Sequence, residues 1–554
     1  MAATDKLSGA LGRTNAAHLL RRATFGPTEA AIQQFASYTV DEAMNELFSE
    51  PAPPELPVDL KTGETWLNPA ATGGNSGQKE LTDYFIIWHL EQMRNSGTNI
   101  SERLTYFFHT HLPVRRSLVE SSEMIYYQNA LYRQFAFGSF KELFKHICMD
   151  NAMLIYLDNG TNDVSSPNEN FAREMFELYS IGRGPQVSLG DYTHYTEDDI
   201  KAATRILTGY QVDHSFGNIN EDTQLPTGVL RELESGDTFI ANRHDAGEKV
   251  FSSRFDNSII APSALSNGYA TSDAARQEFD EMIEMIFDKD EAARFITRKL
   301  YRFFVYYMID NDIEANVIVP LAAQFKSSGY DMPTLVKAML SSQHFYDVDD
   351  AATSNNIIGS IIKSPIDLIL GTLRLFDVNV PADLDTLYNT VYIDGIFEFI
   401  EEQGLNFYEP FEVAGYPAYH QFPIYSRNWI RPHTLAYRYK FAEYILNGVN
   451  PKGEVLGIKI DVLSWVENGG AISTPADANI LVDALIELMI PFPIAAERRD
   501  FFLTTVFLDG LYVSAWTAEW NNYVSDPSQY KTTVESRILI LINAIMQSPE
   551  YQLC

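Results

Sequence analysis

The chain has 554 residues, 45% of them hydrophobic and 13% aromatic, with a formal net charge of -33. That length exceeds one ordinary core, and the aromatic content argues against disorder. So negative a chain disfavours nucleic acid and anionic membrane surfaces, whose partners supply Lys and Arg, and favours solubility and tolerance of divalent cations.

Helix signals dominate from the start. Thr14 precedes a helical run over 15–22 that Phe25, Gly26 and Pro27 end, and Thr39 with Glu42 predicts a capping box ahead of 43–48. Residues 51–78, rich in Pro, Gly, Asn and Thr, predict a loop longer than compact domains usually carry. Helices follow over 79–94, 101–111, 123–135 and 140–157, and Thr196 with Asp199 caps another over 200–207. From about 213 to 270, Gly, Asp, Asn and Ser predict an irregular insertion with short strands around Val250 and Phe255. Helical periodicity resumes over 273–287, 291–308, 318–325 and 332–340.

The second region opens helically near Ser364 and Pro365 and passes through a Pro, Gly and aromatic-rich segment at 378–430. It returns to helices at 433–446, 476–490, 496–513 and 531–547. The expected fold is therefore mainly α, a large multi-helix array with long irregular loops and few short strands. An N-terminal region, 1–345, is expected to carry the polar site, and a C-terminal helical region spans 346–554. Nothing approaches the roughly 20 apolar residues of a membrane span, no signal peptide is read at the N-terminus, and Cys148 and Cys554 are not expected to pair.

Three places concentrate chemistry. In a helix running from Pro167 to Gly182, Asn170, Glu174 and Glu177 fall at i, i+4 and i+7 and make one stripe beside Arg173. Such a stripe suits metal binding or proton transfer, and equally a solvated face with an Arg173–Glu177 pair. His109 and His111 lie two apart, which in a continuous helix sends them roughly 200° apart. Pro113 disfavours the α region at Leu112, and a frayed helix end there would let the two imidazoles converge on a metal. His244 and Asp245, in the insertion, suit a ligand or a general base, or a plain turn. No Gly-x-Ser-x-Gly elbow, phosphate loop or Gly-x-Gly-x-x-Gly occurs, so no nucleotide cofactor is expected.

These segments, in this order, resemble a large bacterial family known as domain of unknown function 1800. The resemblance rests on Ala17 to Gly26 (Ala-His-Leu-Leu-Arg-Arg-Ala-Thr-Phe-Gly), Glu102 to His111, Met153 to Gly182 with Tyr195 and Thr196, His244 with Asp245 and Lys249, and Ala293 to Leu300. Gly404, Pro410, Gly415, Pro417 and Trp429 extend it, as does the closing Ser548 to Tyr551. Phe108 and Tyr416 stand where the family usually has Trp. The resemblance implies an exported protein of the periplasm or cell exterior, and carries no activity with it.

Two functions follow as expectations. One is an extracytoplasmic enzyme with a metal-assisted hydrolytic or oxidative step. His109, His111, Glu174 and His244 would hold zinc, iron, manganese or copper, with Asn170, Arg173, Glu177 and Asp245 in orienting or proton-transfer roles. The other is a non-catalytic surface protein that binds a polysaccharide or an envelope protein partner. A third reading makes the same groups a buried network that only ties helices together.

Overall fold

The structure is a computed structural model, and it describes residues 3–67, 76–349 and 356–554. Residues 68–75 of the expected 51–78 loop, and 350–355 at the start of the second region, lie outside the described residues. The chain is mainly α, and its described strands form five two-stranded antiparallel sheets. One continuous cluster of buried apolar side chains runs from Leu11 to Tyr551 and takes in both expected regions.

Local signals place several elements. Thr39 and Thr196 both form capping boxes, with Glu42 and Asp199. Helix Ser101–His111 stops where Leu112 leaves helical geometry ahead of Pro113, as the proline dictates. All 11 of its residues are buried, so it is an internal rod rather than a surface helix. Its charged groups are matched inside the core, Glu102 by Nε and Nη2 of Arg133 and Arg103 by Asp367.

Elsewhere the chain departs from plain helical periodicity. The single helix expected over 140–157 is two, Phe140–Ile147 and Asn151–Tyr156, because Asp150 caps the second by accepting from Met153 N. Thr14 lies inside helix Gly12–Ala23 instead of capping it. In the insertion, Lys249–Val250 pairs with Ile259–Ile260 as a short ladder, but Phe255 sits in a 3-10 turn, Ser253–Phe255, rather than a strand. A second, small apolar cluster of Tyr210, Leu230, Ala241, Ala270 and Ala275 anchors this insertion.

The helix expected over 167–182 is shorter and changes pitch. It is α over Asn170–Glu174 and π over Met175–Ser180, with Ile181 N bonded back to Phe176 O. A π-turn widens the spiral, so residues beyond Glu174 rotate away from the stripe that a regular α-helix would keep.

Candidate functional site

The stripe on the 170–180 helix is divided between structural duties and one residue without any. Asn170 Nδ2 donates to Leu157 O at 3.2 Å and ties the helix to the preceding turn. Arg173 makes a two-pronged pair with Glu197, at 2.8 and 2.7 Å, and a third bond to Glu169. The alternative Arg173–Glu177 pair does not form. Glu177 instead accepts from Tyr195 Oη at 3.1 Å and lies 3.3 Å from Arg183.

Glu174 has no hydrogen bond or ion pair among the described residues. It is half-buried, and burial, reinforced by the charge of Glu177, pushes its carboxyl up to about 7. A free carboxyl that holds its proton near neutrality can both give and take one.

The groups that share its electrostatic environment come from the same helix and from elsewhere in the chain. Glu174 acts on the hydroxyls of Tyr156, pushed up to about 12 by burial, and of Tyr179. Tyr156 also feels Arg115 and Glu409, which lie 3.2 Å apart. Arg115 reaches on to the carbonyls of Pro410 and Phe411, and Tyr179 Oη donates to Val413 O. These bonds fix the 409–413 loop to Arg115 and Tyr179, with Phe411 84% exposed on it. Gly415 holds this loop against the 101–111 helix. Its φ is +95°, and a Cβ there would lie 2.8 Å from Thr110 O.

The histidines do not join these groups. The 101–111 helix stays regular through His111, so the convergence expected of a frayed end does not occur. His109 Nε2 meets Tyr416 Oη at 2.9 Å, and that hydroxyl also accepts the amide of Tyr408. His111 Nε2–H donates to Tyr179 O at 3.1 Å, and burial pushes both imidazoles down to about 3. Both Nδ1 atoms are buried without a partner.

His244 belongs to a separate buried cluster. Its Nδ1–H donates to Thr208 O at 3.0 Å, and its Nε2 lies 2.7 Å from Glu278, which Lys249 also pairs. Asp245 accepts from Nε and Nη2 of Arg205. The expected ligand set of His109, His111, Glu174 and His244 is thus distributed over separate contacts. Among the described residues no group of three or more His, Cys, Asp or Glu is placed to hold a metal ion. Tyr156, Arg115 and Glu409 were not legible as site residues, since each meets Glu174's neighbourhood only through the fold.

A family model described as "Protein of unknown function (DUF1800)" matches residues 18–553, nearly the whole chain. No curated protein and no solved structure matches it.

Proposed function

We propose that this chain, which belongs to the DUF1800 family, is an enzyme whose reaction turns on proton transfer by Glu174. The observation that carries this reading is the division of labour on one helix. Asn170, Arg173 and Glu177 are each bound to a partner, while Glu174 is half-buried, unpaired and able to hold a proton near pH 7. Carboxyls tuned to neutrality by burial and a like charge are suited to general acid and base work. The π-turn that starts at the next residue adds support, since such turns occur often at functional sites.

The neighbouring groups have roles in the same reading. Tyr156 supplies a second hydroxyl, and Arg115, braced by Glu409 and two carbonyls, supplies a positive charge for a developing anion. Phe411 offers a flat apolar face of the kind that stacks on sugar rings. The substrate class we infer is a polysaccharide outside the cytoplasm, cleaved hydrolytically. Metal assistance has less support, because the fold keeps the candidate ligands apart.

A glycan hydrolysis screen with the wild-type chain and Glu174→Gln tests this. The expected result is turnover with an acid–base pKa near 7, lost in the variant while its melting temperature holds. Equal turnover by both proteins would overturn the proposal.

A further inference from the structure

The Arg21–Arg22 pair of the first family-like stretch takes no part in the Glu174 site. Helix Gly12–Ala23 ends beside helix Pro365–Leu375, and the turn at Gly26 (φ +104°) touches Gly371 so closely that a Cβ would lie 2.6 Å from its Cα. Close approach here, with the 361–363 segment bridged to 552–554, gathers four cations: Arg21, Arg22, Lys363 and Arg438.

Their hydrogen bonds go to uncharged acceptors. Arg21 donates to Leu488 O at 2.8 Å, and Arg22 to the carbonyls of Phe304, Val305 and Ile357. Lys363 Nζ donates to Tyr551 O at 2.7 Å and lies 3.8 Å from the Tyr551 ring centre. Arg438 donates to Gln552 Oε1 and Lys363 O. None of the four makes an ion pair among the described residues. Cys554 acts electrostatically on all four and Asp367 on Arg22, Lys363 and Arg438, neither at ion-pair distance. The nearby carboxylate, Asp367, is committed to Arg103 and to Ser364 N and Oγ.

Arg438 Nη1 and Arg22 Nε are buried without a partner. Burying several like charges without a partner at ion-pair distance is costly unless an anion completes the cluster. Burial pushes Lys363 down to about 7 and Arg21 and Arg438 down to about 10, which is the response to that cost.

A cavity of about 40 Å³ opens beside two of them, lined by Arg21 and Lys363 together with Asp367, Gly26, Tyr551 and Cys554 among others. At roughly 10–15 Å³ of such space per water, it has room for about three waters, which suits one tetrahedral ion and excludes a nucleotide. We propose that this cavity binds one small oxyanion of phosphate or sulfate size, held directly by Arg21 and Lys363, with Arg22 and Arg438 supplying the surrounding positive field. The anion neutralises the junction of the first helix, the 365–375 helix and the 551–554 segment, far along the chain from Glu174.

Isothermal titration of the full chain with inorganic sulfate and with phosphate, at constant ionic strength in chloride, tests the proposal. One saturable site is expected. Arg21→Met and Lys363→Met should each weaken binding by about tenfold or more, as loss of a buried charge contact does. Arg231→Gln, on the exposed surface, should bind as wild type. If the Met variants fail to fold, the wild-type titration decides, and no saturable binding beyond chloride overturns the proposal. Unchanged binding in folded Arg21→Met and Lys363→Met overturns it too. Glu174→Gln should bind the anion normally, which separates this site from the proposed active site.

Discussion

The strip on the 170–180 helix and the cluster around His244 contain the same kinds of side chain, and they differ in what is left over. At His244, the Thr208 carbonyl can only accept, so Nδ1 carries a proton, and Nε2 lies 2.7 Å from Glu278. Lys249 takes the remaining Glu278 oxygen, and His244, Lys249 and Glu278 are all at most 2% exposed. Nothing there is free, and no substrate can enter. On the strip, three of four polar residues are bound and Glu174 is neither bound nor sealed off. A polar cluster is a site when one group is unspent and reachable, and a brace when every group is matched and dry.

The comparison breaks most sharply at Glu174. Glu174→Gln should cost about a hundredfold to ten-thousandfold in kcat with little change in unfolding free energy, measured by turnover and urea denaturation. Glu278→Ala should do the reverse. It strands Lys249 in the core, and chemical denaturation should show a loss of about 3–5 kcal/mol. A small stability change there would mean that water reaches the cluster. Tyr416→Phe removes the acceptor for the Tyr408 amide and the partner of His109, and should destabilise by about 1–3 kcal/mol.

Titration sharpens the comparison further. The Glu174 carboxyl is raised from 4.5 to about 7 in the folded chain, so its contribution to stability is full below 4.5 and lost as pH rises through about 7. His109 and His111 run the other way. Lowered from 6.5 to about 3, they contribute fully above 6.5, and that contribution is lost as pH falls through about 3. Unfolding measured across this range should show both slopes, and Glu174→Gln should flatten only the first. The smallest effect belongs to Arg173→Ala, about 1 kcal/mol or less by calorimetry, since that pair is partly open to water.

Much of the framework was legible because neighbours in sequence decide it. Thr39 with Glu42 and Thr196 with Asp199 are capping boxes wherever such residues precede an apolar run, and Pro113 ends its helix by sterics alone. The same local logic failed at His109 and His111. Burial of the whole 101–111 helix keeps its last turn regular, so the rings stay on opposite sides. The π-turn after Glu174 was equally hidden, because a five-residue hydrogen bond leaves no mark in a run of Met, Phe and Leu. Glu174 was visible as part of a stripe. That it alone lacks a partner was not, since Glu197, Tyr195 and Leu157 stand 13 to 24 positions from the residues they engage.

By itself the sequence determined a mainly α chain, where many helices start and stop, and which short segment is rich in acid and amide groups. Periodicity, caps and proline act over a few residues, and that range suffices for those features. Only the tertiary structure decided which of these groups are matched, because Arg115 meets Pro410, His109 meets Tyr416 and Arg21 meets Leu488 across hundreds of residues. Pairing and access are properties of packing, and they separate a brace from a candidate site.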